Sequence, residues 1–149
     1  MKKGAEIRLC LFSVFCIAVY GNLGYTVRIG GMTMLFLQYP PCSTCMKAKA
    51  WLDGRGVCYE IRHIKEENPT YEELKLWVEA SGMPVKKFFN TSGLQYKALG
   101  LKDKLPQMSL EEQLRLLASD GMLVKRPLVV KSDVVLAGFK ETEWEAALL

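Results

Sequence analysis

Histidine is nearly absent from this 149-residue chain; His63 is the single one. A zinc centre needs about four nitrogen or sulfur ligands, so one built on histidine is excluded. An excess of charge is also lacking. The formal net charge is +4, and Lys2, Lys3, Arg8 and Arg28 against Glu6 place +3 of it in residues 1–31, leaving +1 for residues 32–149. So neutral a body carries no electrostatic footprint for nucleic acid. Long apolar runs are missing as well. The longest, Leu9–Tyr20, falls short of the roughly 20 residues a membrane span needs, so no membrane is expected for the core domain. A disulfide framework is absent too, because the five cysteines (Cys10, Cys16, Cys42, Cys45 and Cys58) are odd in number and contain one close pair. That usage fits a reducing, cytoplasmic compartment. No repeat or low-complexity segment interrupts the chain.

Residues 1–31 read separately from the rest. A basic start followed by an apolar stretch has the shape of a secretory signal, yet no small-residue cleavage site follows Tyr20. Two readings compete: an exported or anchored domain, and a start codon placed too early, with translation beginning at Met32 or Met34. The second is preferred, because the first strand begins almost at Met34. Residues 32–149 then form one globular domain.

The order of elements follows from periodicity and punctuation. Met34–Tyr39 is a first strand and Ser43–Asp53 a helix, with Cys45, Ala48, Trp51 and Leu52 on one face. Val57–Ile64 is a second strand, with Cys58 as a small hydrophobe in its core. Thr70 and Glu73 form a capping box for a helix whose inner stripe is Leu74, Trp77 and Val78, ended by Gly82. Short helical turns follow across 83–101. Ser109 and Glu112 cap a helix striped by Leu110, Leu114 and Leu117. Leu128–Lys131 and Val134–Ala137 form a hairpin, and Thr142 opens a last helix, Glu143–Leu149. A βαβ unit, a helical block at about 70–123 and a ββα unit describe an α/β, thioredoxin-like, mixed four-stranded sheet with a helical insertion between strands two and three.

Cys42 and Cys45 carry the chemistry. They lie in the turn Pro40-Pro41-Cys42-Ser43-Thr44-Cys45, between strand and helix. The first sulfur therefore lands at a helix N-terminus, where unpaired N–H groups and the helix dipole favour a thiolate, the nucleophilic form. The second cysteine is placed to attack a mixed disulfide formed on the first. Zinc is the competing use of such a pair, but only Cys58 and His63 are on offer as further ligands in the domain. His63, at a strand end before a charged loop, reads as a solvated or hydrogen-bonded histidine rather than a base. Arg126-Pro127 opens a strand opposite the cysteine turn. A cis proline there would present the Arg126 backbone to the sulfur, and the guanidinium would stabilise a thiolate or an oxyanion.

Four segments, Tyr39-Pro40-Pro41-Cys42-Ser43-Thr44-Cys45, Phe88-Phe89-Asn90-Thr91-Ser92-Gly93, Lys125-Arg126-Pro127-Leu128-Val129-Val130 and Gly138-Phe139-Lys140-Glu141, make residues 34–149 resemble the arsenate reductase (ArsC)/Spx family of the thioredoxin superfamily. The resemblance implies that Cys42 attacks an oxyanion or disulfide, that Cys45 resolves the adduct, and that Arg126 binds the anion. Ser43, Thr44, Asn90 and Pro127 would line the substrate site. It also implies no bound cofactor, and an external thiol donor of thioredoxin or glutaredoxin/glutathione type. The family's arsenate reductases use two further arginines, matched here by Asn90 and Gly138, and have serine at the place of Cys45. The Cys-x-x-Cys pair itself resembles Spx, a redox-sensing transcription regulator that binds RNA polymerase, so the polymerase α-subunit is a second expected partner and a general disulfide reductase a third reading.

Overall fold

The computed structural model describes residues 34–149. The signal-like segment, with Cys10 and Cys16, lies outside the described residues. Four strands form one sheet in the order β2-β1-β3-β4. They are β1 (Met34–Gln38), β2 (Tyr59–His63), β3 (Leu128–Lys131) and β4 (Val134–Ala137). β1 runs parallel to β2 and antiparallel to β3, and β3 is antiparallel to β4. The crossover that the parallel pair requires is α1 (Ser43–Gly54). This is the mixed sheet read from the sequence.

Alternation along β1 splits the core into two layers. Phe36 lies opposite Val129, which lies opposite Leu136. These face α1 and α6 (Glu141–Leu148), where Ala48, Trp51, Leu52, Trp144 and Leu148 pack against them. Leu37, Leu128 and Ala137 point the other way. They meet the inserted block: α2 (Tyr71–Ser81), α3 (Leu94–Ala98), α4 (Leu101–Lys104) and α5 (Leu110–Ser119). The result is a sheet sandwiched between a two-helix layer and the insertion.

The insertion is anchored at both ends. Arg62, on β2, holds Glu73 in a bidentate ion pair at 2.7 and 3.0 Å. It also donates to the Glu67 and Asn68 carbonyls, so the loop before α2 is tied to the sheet edge. The Thr70–Glu73 capping box closes in both directions, and Gly82 ends α2 in the left-handed region at φ 61°. At the other end the chain packs so tightly that a Cβ on Gly121 would lie 1.7 Å from the Ile64 carbonyl oxygen. An isolated bridge, Phe89 to Val124, then fastens the Asn90 loop to the chain entering β3.

Three local readings change. β2 begins at Tyr59, whose ring takes the inward position, so Cys58 is exposed instead of belonging to the strand core. The inner stripe of α5 starts a turn later than its spacing suggests: Leu114 and Leu117 are buried, but Leu110, the first helical residue, is 54% exposed. The last helix starts at Glu141 with Lys140 as its cap, not at Thr142, because the chain turns in directly from Gly138 and Trp144 Nε1 donates to the Gly138 carbonyl at 3.0 Å.

Candidate functional site

Cys42 is the N-cap of α1. Its extended backbone (φ −80°, ψ 116°) stops the strand-side chain, and its carbonyl accepts the first helical bond, from Met46 at 3.1 Å. Its own N–H donates to the Tyr39 carbonyl at 2.9 Å, which closes the double-proline turn. The cap side chain that usually satisfies a helix start is a serine, threonine or aspartate oxygen. Here a sulfur occupies that place, and no side-chain cap bond of the ordinary kind forms.

The two sulfurs are placed in opposite electrostatic settings. Burial is the largest single influence on Cys42 and disfavours its thiolate, but several groups together outweigh it. The backbone N–H groups of Cys45 and Thr44 and the Cys45 thiol favour the charged sulfur, and Arg126 adds its positive charge. The thiol is therefore lowered below its ordinary value of 9.0. Cys45 is fully buried, and burial pushes its thiol up to about 12, with the neighbouring Cys42 sulfur pushing the same way. One thiol is biased toward the thiolate and the other is held protonated.

Arg126 is held rather than free. Its guanidinium lies 5.2 Å above the Tyr39 ring and donates to the Met122 carbonyl at 3.2 Å. The Arg126–Pro127 peptide is cis. The Pro127 carbonyl accepts from Gly138 N–H at 2.8 Å, joining the start of β3 to the end of β4.

Cys42 opens into a cavity of about 500 Å³. Thr44, Asn90 and Arg126 share its wall with Cys42; Ser43 and Pro127 do not, and Cys45 lies buried beneath. Asn90 is itself almost fully buried: its N–H donates to the Leu123 carbonyl at 2.7 Å, and its side-chain oxygen accepts from Ser92 at 3.2 Å. Its amide presses on Gly93, where a Cβ would sit 2.5 Å from the side-chain nitrogen. His63 ends β2 and is not on this wall. Among the described residues no group of three or more His, Cys, Asp and Glu side chains gathers as metal ligands, and no helix is long and apolar enough to cross a membrane.

Lys125, Ser92, Phe139 and Lys140 also line the cavity, and sequence reasoning gave none of them a role. The signal for two of them was adjacency. Lys125 directly precedes Arg126, and Lys140 follows the Gly138-Phe139 turn that faces it across the hairpin.

The model of the ArsC family matches residues 37–147. Among characterised and uncharacterised relatives, the chain is 54% identical over 114 residues to the uncharacterized protein YusI of Bacillus subtilis, covering 76% of this chain and 97% of YusI. It is 30% identical over 110 residues to the regulatory protein MgsR of the same organism, covering 74% and 86%. Its fold superposes with a TM-score of 0.76 on the crystal structure of an ArsC family related protein from Bacteroides fragilis, 59% identical, covering 79% of this chain and 99% of that one.

Proposed function

The chain belongs to the ArsC family, and from that premise we propose that it is a thiol–disulfide oxidoreductase in which Cys42 attacks and Cys45 resolves. The observation that carries this reading is the asymmetry of the pair: a lowered, accessible thiol at a helix N-terminus above a buried thiol held protonated. The Cys42 thiolate attacks an oxyanion or a disulfide sulfur. Arg126 and the N–H groups of Thr44 and Cys45 steady negative charge at the reacting atoms. Cys45 then gives up its proton and attacks the Cys42 sulfur, which leaves a Cys42–Cys45 disulfide. An external dithiol or glutathione-type donor restores the pair, and a cytoplasmic setting supplies one.

Arsenate is the oxyanion the family's name suggests. Asn90 and Gly138 stand where the arsenate reductases carry arginine, and each charge-assisted bond lost weakens anion binding by about 1.5–3 kcal/mol. That favours a disulfide substrate. The experiment is single-turnover oxidation of the reduced chain by a model disulfide and, separately, by arsenate, with Cys42→Ser and Cys45→Ser alongside. Cys45→Ser should accumulate a mixed disulfide on Cys42 that mass spectrometry detects. Turnover surviving in Cys42→Ser would sink the mechanism.

The similarity to MgsR favours one rival, a regulator whose Cys42–Cys45 state sets its affinity for RNA polymerase. Pull-down of the oxidised and of the reduced chain on the C-terminal domain of the polymerase α-subunit separates the two.

A further inference from the structure

The cavity beside Cys42 is lined by three cations and no carboxylate: Lys125, Arg126 and Lys140. Two of the three have partners. Arg126 is held by Met122 and Tyr39, and Lys140 pairs with Glu143 at 2.7 Å. Lys125 is half-buried and takes part in no ion pair among the described residues. Its backbone is fixed, with its N–H donating to the Phe88 carbonyl at 2.6 Å. Its side chain lies across Gly138, where the Lys125 Cε would be 3.3 Å from a Cβ built there. Gly138, at φ +85°, thus leaves open the space that the lysine stem crosses. A half-buried lysine that lines the cavity beside Cys42 without a counter-ion is a binding group in want of an anion.

Cavity size says which anion. About 500 Å³ lies within the range of pockets that hold ligands of many heavy atoms, and a five-atom tetrahedral oxyanion would leave most of it empty. Resting on the thiol–disulfide reading above, we propose that Lys125 is a specificity residue that selects small disulfides carrying carboxylates. The Cys42 thiolate attacks one sulfur of R–S–S–R, forming Cys42–S–S–R and releasing RS⁻. Cys45, losing its proton, attacks the Cys42 sulfur and releases the second RS⁻. The substrate gains two electrons as two thiols, and the protein's dithiol becomes a disulfide, to be re-reduced by an external dithiol.

The test is the rate of single-turnover oxidation of the full, reduced chain by dithiodipropionate (dianionic), bis(hydroxyethyl) disulfide (neutral) and cystamine (dicationic). Each rate is divided by that of the same disulfide with dithiothreitol, which removes intrinsic reactivity. The anionic-to-cationic ratio should exceed unity, should fall by about fivefold or more in Lys125→Gln, and should recover in Lys125→Arg. Because the ratio compares two substrates on one enzyme, any change in Cys42 ionisation cancels. A ratio near unity in the natural chain, or one that Lys125→Gln leaves in place, overturns the proposal while the thiol–disulfide reading stands. Failure of all three disulfides to oxidise Cys42 overturns both.

Discussion

At the scale of single residues, the site depends on one sulfur standing where a capping oxygen usually stands. The Cys42 thiol gains no help from an imidazole, since His63 is elsewhere, so its activation rests on backbone N–H groups, the Cys45 thiol and one guanidinium. This makes its pH behaviour predictable. Alkylation of the Cys42 peptide by iodoacetamide, followed by mass spectrometry, should show a midpoint below the ordinary thiol value of 9.0. Burial alone would put it above, and a midpoint at or above 9.0 would refute the balance of effects described here. Arg126→Gln removes a charge that favours the thiolate, so its midpoint should move up. Cys45 should stay unlabelled across the same range, since its thiol ionises only near 12 and is fully buried. Both residues were legible as a motif, and the expectation that Cys42 is the one that attacks came from its position at the helix start. The burial that disables Cys45 as a competitor became visible only in three dimensions.

At the scale of elements, the insertion works as a clamp that brings Asn90 and the Lys125-Arg126 run to the cysteine turn. The capping boxes of α2 and α5 were readable from four-residue patterns, because a cap is a local device whose partners are close in sequence. Thr70→Ala should cost about 1 kcal/mol in urea unfolding, by loss of the bond from Glu73 N–H. Gly121 sits just past the end of α5, where a glycine ordinarily serves to stop a helix. Its role is long-range: the chain after α5 presses directly on the backbone that follows β2. Gly121→Ala should therefore destabilise by about 1–3 kcal/mol or more, through forced displacement of backbone rather than through helix propensity. Because Leu123, Val124, Lys125 and Arg126 follow directly, the same variant should also slow Cys42 alkylation at fixed pH. A variant that unfolds normally but keeps its full alkylation rate would show that Gly121 does not position the site. Cys58 and Leu110 mark the limit of pattern reading. Period two cannot say which residue of a strand edge turns inward, and i, i+4 spacing cannot say where along a helix the core begins.

At the scale of the whole molecule, the cysteine pair links folding to redox state through protons. The two thiols act with opposite sign. The Cys42 value is lowered on folding, so its contribution is complete above 9.0 and disappears as pH falls through the folded value. The Cys45 value is raised on folding, so its contribution is complete below 9.0 and is lost as pH climbs toward about 12. Together they predict that the reduced protein gains stability from the pair up to a maximum near pH 9.0 and loses it beyond. The disulfide form has neither thiol and should lack the maximum. The measurement is urea unfolding of the reduced chain from about pH 6 to about pH 11, minus that of the Cys42→Ser/Cys45→Ser double variant. Subtraction removes every carboxylate, lysine and other cysteine that titrates in both. A difference that peaks near 9.0 supports the opposed settings of the two sulfurs. A difference that only falls with pH would mean that Cys42 is not stabilised as a thiolate by the folded chain, and the assignment of attacking and resolving roles would lose its physical basis.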